Sequence, residues 1–224
     1  GGADAISMIN TVNSLAGVDV DTWLPLPHVD GKGAHGGYCG PAVKPIALHM
    51  VADCARDIDI NIPISGMGGI STWRDAVEFL LMGATGVQIC TAAMHHGFRI
   101  MEDLIDGLSN YLDQKGLSSV NELIGKATHT YTDWSNLNLN YKVVARVNQE
   151  TCIHCNKCYI ACEDTSHQCI DMIDDKVVVR EEDCVGCNLC SIVCPIEGTI
   201  EMVEIPTEKA ALSWNELQAT NASL

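Results

Sequence analysis

The first half of the chain alternates short apolar runs with longer stretches in which apolar residues recur at helical spacing. The apolar runs predict three β-strands, at residues 5–10, 62–66 and 86–90. The stretches with helical spacing predict three α-helices, at residues 41–58, 73–83 and 98–112. Glycine-rich turns follow the strands, so the order β-α-β-α-β-α predicts parallel strands joined by right-handed crossovers.

Two architectures contain this order, a doubly wound sheet and a (β/α)8 barrel, and the chemistry of the strand ends favours the barrel. A barrel needs eight strands in about 250 residues, more than precede the cysteine-rich region here. The expected fold class is therefore α/β plus α+β, beginning with the C-terminal part of a (β/α)8 barrel, about strands 6 to 8, at residues 1–115. Because Gly1 lies in the approach to a strand, we expect a fragment that lacks the upstream strands.

The pattern changes after the third predicted helix. Residues 116–147 contain one more helical stretch, at 117–127, followed by a polar segment, and we interpret them as a connector packed on the side of the barrel. Two cysteine runs follow, which predict a separate small domain at 148–205. The tail at 206–224 is left without an assignment.

Composition and charge narrow the class of protein. The 224 residues are 47% hydrophobic and 19% charged, as in ordinary soluble globular proteins with one or two domains. No apolar run approaches the roughly 20 residues of a membrane-spanning helix, and the N-terminal residues lack the features of a signal peptide. A net charge of −16 argues against nucleic acid or an anionic membrane as the partner. We therefore expect a cytoplasmic protein.

Cysteine is the residue type that indicates chemistry. Of 12 cysteines, Cys39, Cys54 and Cys90 are scattered, and the others lie between residues 152 and 194. Secreted disulfide scaffolds are short and carry cysteines throughout, whereas tandem C-x2-C-x2-C runs without an export signal indicate metal thiolates in a reducing compartment.

The runs CIHCNKCYIAC (152–162) and CVGCNLCSIVCP (184–195) have the spacing of bacterial ferredoxins. Three cysteines of one run bind three corners of a [4Fe-4S] cube, and the fourth cysteine of the other run completes it. The spacing thus predicts two ligand sets, Cys152, Cys155, Cys158 and Cys194 for the first cluster and Cys162, Cys184, Cys187 and Cys190 for the second. Zinc also binds paired C-x2-C, but it would leave the third and fourth cysteines of each run unexplained. Cys169 matches no ligand position and is expected to be a small core residue.

Two turns in the first half have the character of anion-binding loops. SGMGG after the second strand and CTAA after the third lie where barrel enzymes bind phosphate. Gly68 and Gly69 allow the backbone to approach an anion closely, and residues 90–92 would present amides at the start of a helical turn. An ordinary tight turn between strand and helix has the same signature, so these residues alone leave both interpretations open.

Several stretches together resemble the C-terminal part of the FMN- and iron–sulfur-containing subunits of NAD-dependent dihydropyrimidine dehydrogenases. They are INTVNSL (9–15), GGYCGPAVKPIAL (36–48), IPISGMGGISTWRDAVEFLLMGATGVQICTA (62–92) and the two cysteine runs. The related FMN barrels of dihydroorotate dehydrogenases share the phosphate turns without the cysteine runs, so the combination carries the resemblance.

The resemblance implies roles for eight residues of the first half. Asn10 and Thr11 match the pair that contacts the pyrimidine, and an Asn amide offers both a donor and an acceptor to the ring edge. The remaining matches concern FMN: Gly40, Met67, Gly68 and Gly69 line the flavin, and Cys90 and Thr91 contact its phosphate. Relatives can carry Thr in place of Met67, so only a backbone contact is carried over there. His35, His95 and His96 match no catalytic position and are expected on loops or the surface.

The resemblance also implies an activity, the reduction of the 5,6 double bond of uracil or thymine. Reduced FMN delivers hydride to one ring carbon, and a cysteine acid protonates its neighbour. That cysteine and a flavin-side lysine are expected upstream of Gly1, so no catalytic residue is assigned within this chain. The clusters would recharge FMN from a partner subunit that holds NAD(H) and FAD, in a homodimer or heterotetramer where the clusters of one subunit serve the flavin of the other.

Two other functions stay open at this stage. One is a different FMN-barrel oxidoreductase with a fused ferredoxin, similar to dihydroorotate dehydrogenase. The other is a plain ferredoxin-type electron carrier on an inert scaffold. Flavin content separates the carrier from both enzymes, and the substrate separates the two enzymes from each other.

Overall fold

The computed structural model describes residues 2–221, which divide into two compact units between Tyr131 and Thr132. In the N-terminal unit the elements are, in chain order, β1 (Ile6–Met8), β2 (Val12–Ser14), β3 (Gly17–Val18), β4 (Pro25–Leu26), β5 (Gly36–Tyr38), α1 (Lys44–Arg56), β6 (Ile64–Met67), α2 (Trp73–Leu81), β7 (Gly86–Gln88), α3 (Thr91–His96) and α4 (Ile100–Lys115). The predicted strands and helices of residues 1–115 appear within a few residues of these bounds. None of the helices in the described part of the chain is both long and apolar enough to cross a bilayer.

A three-stranded parallel sheet organises this unit, with β6 between β1 and β7. Ile6 is opposite Ile64, and Ser65 is opposite Gly86. The helices α1 and α2 connect successive strands, as parallel pairing requires. Their apolar sides pack on one face of the sheet to form a core of Ala47, Val51, Ile64, Ile70, Ala76, Phe79 and Ala84. On another side of the sheet, the amide nitrogen of Gln88 donates to the hydroxyls of Ser7 and Ser65, each at 2.7 Å.

Local sequence explains where the helices of this unit begin and end. The Thr72 hydroxyl caps α2 by accepting from the Asp75 amide, and the Asp75 carboxylate accepts from the Thr72 amide, which forms a capping box. The helix α4 ends where Gly116 adopts a left-handed conformation, with φ of 65°. Between β1 and α1, two small antiparallel ladders pair β2 with β5 and β3 with β4. The sequence did not predict these ladders, because strands of two or three residues are too short to show alternation.

The predicted helix at 117–127 is wrong. The segment instead contains a single 3-10 turn at Val120–Glu122. Ser119 caps this turn, and the Ser119 amide donates to the Glu122 carboxylate at 3.1 Å. Gly125 then adopts a φ of 70°, which ends helical geometry, and its amide donates to the Leu80 carbonyl at 2.9 Å. The Ala127 amide likewise donates to the Leu81 carbonyl at 3.0 Å, so two backbone bonds attach this segment to the end of α2 within the N-terminal unit.

The C-terminal unit contains β8 (Val143–Val147), α5 (Lys157–Glu163), β9 (Ile170–Ile173), β10 (Lys176–Val179), α6 (Leu189–Val193), β11 (Ile200–Glu204) and α7 (Trp214–Asn221). Two antiparallel ladders pair β8 with β11 and β9 with β10. Their inward residues form a core with the cysteines, which includes Val144, Ile170, Val177 and Ile200. The tail left unassigned from the sequence carries α7, whose Asn215 amide donates to the Asn136 side chain at 3.0 Å.

Candidate cofactor-binding sites

A cavity of about 380 Å³ lies in the N-terminal unit at the carboxyl ends of the three parallel strands. Ligands of parallel sheets bind at this end, because the loops that leave the strands converge there. All eight residues to which the resemblance assigns a flavin or pyrimidine role line the cavity, namely Asn10, Thr11, Gly40, Met67, Gly68, Gly69, Cys90 and Thr91. The fold thus brings together residues that are up to 81 positions apart.

Gly68 and Gly69 in this cavity wall lie so close to Gly40 and the start of α1 that a side chain would not fit. Gly69 has a φ of 77°, and a Cβ atom there would lie 2.7 Å from the Gly40 carbonyl oxygen and 2.8 Å from the Lys44 nitrogen. A Cβ atom on Gly68 would lie 2.7 Å from that of Ala47. Side chains are excluded from this turn, so it can present only main-chain groups to a ligand.

A charged network that the sequence reasoning missed holds this turn in place. Lys44 Nζ lies 2.6 Å from Asp75 Oδ1. The other carboxylate oxygen of Asp75 accepts from the backbone amides of Ser71 and Thr72, at 3.0 Å and 2.8 Å. The ion pair therefore ties the start of α1 to the turn that follows β6. The capping-box spacing of Thr72 and Asp75 was the available sequence signal.

The network also sets the charge states of its members. Burial by itself raises the pKa of Asp75, but the hydrogen bonds from Lys44, Ser71 and Thr72 outweigh it and lower the pKa to about 2. The hydrogen bond to Asp75 raises the pKa of Lys44. Both groups are thus charged at neutral pH. The Lys44 ammonium and the Asp75 carboxylate neutralise each other in this partly buried position.

Two polar groups and two histidines complete the wall. The side-chain oxygen of Asn10 accepts from the Thr11 amide at 2.7 Å, and the Thr11 side chain packs closely against Gly37 of β5. His95 and His96, at the end of α3, are exposed at the edge of the cavity. His35 is also exposed and lines a separate surface depression formed by residues 14–38.

The C-terminal unit has two smaller cavities, each lined by four of the predicted thiol ligands. One is lined by Cys152, Cys155, Cys158 and Cys194. The other is lined by Cys162, Cys184, Cys187 and Cys190, and by the additional Cys169. The fold thus assembles three cysteines from one loop with a fourth from the other half of the repeat.

Both cysteine loops reach this arrangement through the same backbone conformations. His154 and Gly186 occupy equivalent positions with φ of 54° and 70°, and Asn156 and Asn188 do so with φ of 61° and 66°. Left-handed residues at these points turn the chain sharply before α5 and α6, which wraps the loop around the cavity. Asn tolerates this conformation better than most residues, which accounts for its place in both runs.

The thiols of each set surround a cavity and do not meet at a point. In residues 2–221, no three His, Cys, Asp or Glu side chains are grouped as the ligands of one metal ion. A cubane cluster binds each thiolate at a different iron corner, so a ring of sulfur around an open volume fits its chemistry. Burial raises the pKa of Cys158, and it raises the pKa of Cys190 to about 11, so ligation there must displace protons.

Comparison with known proteins agrees with this division. The dihydroorotate dehydrogenase family model matches residues 1–112, and the 4Fe-4S dicluster domain model matches residues 145–202. The chain is 43% identical over 172 residues to the NAD-dependent dihydropyrimidine dehydrogenase subunit PreA of Escherichia coli K12, which covers 76% of the chain and 42% of that protein. The predicted resemblance to such subunits is confirmed.

Catalytic subunits of dihydroorotate dehydrogenase B (NAD(+)) are similar over a shorter part of the chain. The subunit of Pyrococcus abyssi is 49% identical over 126 residues, which cover 56% of the chain and 40% of that protein. The subunit of Pyrococcus horikoshii is 46% identical over 127 residues. The chain therefore spans about 40% of the length of these relatives. With half of its residues matched by the family model, the chain belongs to the dihydroorotate dehydrogenase family, in a form that also carries a 4Fe-4S dicluster domain.

Proposed function

We propose that the chain is the C-terminal part of an FMN- and iron–sulfur-containing subunit of dihydropyrimidine dehydrogenase (NAD+). Its reaction would be the reduction of uracil or thymine to the 5,6-dihydropyrimidine. The observation that carries the proposal is the combination of a cavity at the ends of three parallel strands with two rings of four cysteines in the same chain. A flavin site and an electron relay are the two parts that such a reaction needs.

The N-terminal unit would hold FMN as about strands 6 to 8 of a barrel. Gly40, Gly68, Gly69 and the backbone of Met67 would line the flavin, and Cys90 and Thr91 would contact its phosphate. The absence of side chains from the Gly68–Gly69 turn supports the flavin contact, because main-chain groups can approach a cofactor closely only where no Cβ atom intervenes. When bound, FMN supplies hydride transfer to a carbon atom. Lys44 and Asp75 would keep the turn in place without touching the ligand.

Asn10 and Thr11 would orient the pyrimidine. Both line the cavity at the end of β1, and an amide side chain can match the donor and acceptor on one edge of the ring. The Asn10 side-chain oxygen accepts from the Thr11 amide at 2.7 Å. An acceptor on the pyrimidine ring could therefore bind the Asn10 amide nitrogen. A donor on the ring would compete with the Thr11 amide for the Asn10 oxygen.

The C-terminal unit would hold two [4Fe-4S] clusters in the ligand sets predicted from the sequence. Cys152, Cys155, Cys158 and Cys194 would bind the first, and Cys162, Cys184, Cys187 and Cys190 the second. Four thiols around each cavity and the matched loop backbones support both sets. Electrons would come from a cytoplasmic partner subunit that binds NAD(H) and FAD, in a homodimer or heterotetramer.

A function like that of dihydroorotate dehydrogenase is the second candidate, since those relatives are up to 49% identical over the first half. The longer match to PreA favours pyrimidine reduction, because its 172 aligned residues exceed the 126 shared with the Pyrococcus abyssi subunit. The experiment uses the full-length protein, purified without oxygen together with its flavoprotein partner. We expect bound FMN and uracil-dependent oxidation of NADH.

The outcomes of this experiment separate the candidates. Turnover of dihydroorotate or orotate without uracil activity would replace the proposal with the second candidate. A full-length protein with intact clusters but without bound FMN would contradict both enzymes and leave an electron carrier. Gly69→Ala should disturb FMN binding in the same protein, and its matched control is Gly86→Ala, where a Cβ atom meets no atom within 4 Å and FMN content should be unchanged.

A further inference from the structure

The two cysteine cavities differ in the number of thiols that line them. Among the described residues, four cysteines line the cavity of the first ligand set. Five line the cavity of the second set, and the fifth is Cys169, which follows the turn after α5. The expectation that Cys169 is a buried core residue is correct as far as it goes, since the side chain is 5% exposed. A core position alone does not explain why Cys169 lines the same cavity as the four predicted ligands.

Cys169 is held against one particular ligand. Its Sγ atom lies 3.7 Å from the Sγ atom of Cys162. Its backbone amide also donates to Cys162 Sγ at 3.3 Å, and its carbonyl accepts from the Arg180 amide at 2.8 Å. These two bonds of its amide and carbonyl groups therefore hold the backbone of Cys169 beside Cys162. The thiol stands beside the corner that Cys162 would occupy.

We propose that Cys169 is a reserve ligand of the second cluster, able to replace Cys162 at its iron corner. This inference rests on the proposed iron–sulfur function. The exchange needs no oxidant or reductant: the bond from iron to the Cys162 sulfur breaks, a bond from iron to the Cys169 sulfur forms, and the proton of Cys169 passes to Cys162. The short distance between the sulfur atoms allows this with a side-chain rotation.

The reserve ligand makes the two clusters unequal in their tolerance of substitution. Cys162 and Cys194 are equivalent fourth ligands, each contributed to the set of the opposite run. Loss of Cys162 leaves Cys169 to complete its set. Loss of Cys194 leaves three thiols and no substitute among the residues that line that cavity.

The test compares Cys162→Ala, the double variant Cys162→Ala/Cys169→Ala and the matched control Cys194→Ala in the whole chain. Each is reconstituted with iron and sulfide without oxygen, and the iron content and the EPR spectrum of the reduced protein are measured. Wild type and Cys162→Ala should both hold about eight iron atoms per chain. The spectrum of Cys162→Ala should show one altered signal, because one ligand position has changed.

The double variant and Cys194→Ala should both lose iron, down to about four atoms if the affected cluster is lost entirely. If Cys162→Ala is indistinguishable from the double variant while wild type holds both clusters, the reserve ligand is refuted and the iron–sulfur function stands. If wild type itself assembles no clusters, both the function and the inference fail.

A second measurement covers the case in which Cys162→Ala does not fold. Cys169→Ala keeps all eight predicted ligands, and its reconstituted cluster can be challenged with an iron chelator. We expect faster loss of one cluster than in wild type, since an opened corner can no longer be closed by a second thiol. Cys54→Ala, on α1 of the other unit, is the control. The same half-life in Cys169→Ala and wild type would overturn the proposal.

Discussion

The candidate sites of the two units depend on different chemical groups, main-chain groups in one and cysteine thiols in the other. In the N-terminal unit one part of the cavity wall is a turn from which side chains are excluded, at Gly68 and Gly69. In the C-terminal unit the cavities are lined by thiols carried on loops and short helices. A site made of main chain is broken by adding an atom, whereas a site made of ligands is broken by removing a ligand that has no substitute. The following predictions test that contrast.

The largest effect is expected from removal of a buried thiol. Cys158→Ala should reduce iron content from about eight to about four atoms per chain and, in the full-length enzyme, abolish NADH-driven pyrimidine reduction. FMN should remain bound, because the change lies in the other unit. Cys54→Ala is a control that also removes one partly buried thiol. Full iron content or full activity in Cys158→Ala would contradict the ligand set or an obligatory path through that cluster.

A smaller effect is expected from adding one methyl group to the flavin-side turn. In Gly69→Ala the new Cβ would lie 2.7 Å from the Gly40 oxygen at a φ of 77°, so the turn must move. We expect FMN affinity to weaken by about tenfold to a hundredfold, which is a loss of about 1.4–2.8 kcal/mol in binding free energy. Fluorescence titration of the full-length protein measures it. Unchanged affinity, with Gly86→Ala as reference, would show that this turn does not face the flavin.

A local effect, confined to α2, is expected from the charged network behind that turn. Asp75→Asn should lower the opening free energy of α2 by about 2 kcal/mol at pH 7, measured by hydrogen exchange of its amides. The folded pKa of about 2 lies below the ordinary 3.8, so the stabilisation is present above 3.8 and is lost as pH falls towards 2. The difference between variant and wild type should therefore shrink at pH 3. Asp106→Asn, exposed on α4, should show no such change.

Sequence reasoning succeeded where a pattern is long or a spacing is chemically constrained. The alternation of strands and helices over residues 5–112 and the cysteine intervals are signals of this kind. It failed at 117–127, where apolar spacing predicted a helix but Gly125 and bonds to the end of α2 ended it after one turn. It also missed Lys44 with Asp75 and the position of Cys169. Those contacts join residues distant in the chain or separated by a turn, and no local pattern encodes them.

The two cysteine loops have matching backbone conformations but differ in the space around their third residue, His154 or Gly186. A Cβ atom on Gly186 would lie 2.7 Å from the Val143 carbonyl oxygen, so this loop admits only glycine there. In the other loop the equivalent His154 points its ring to the Asp175 carbonyl, at 2.6 Å. Copying Gly186 to position 154 would add no Cβ atom, whereas copying His154 to position 186 would place a Cβ atom 2.7 Å from the Val143 carbonyl oxygen. The two loops therefore share backbone conformations, but only the first loop has room for a side chain at this position.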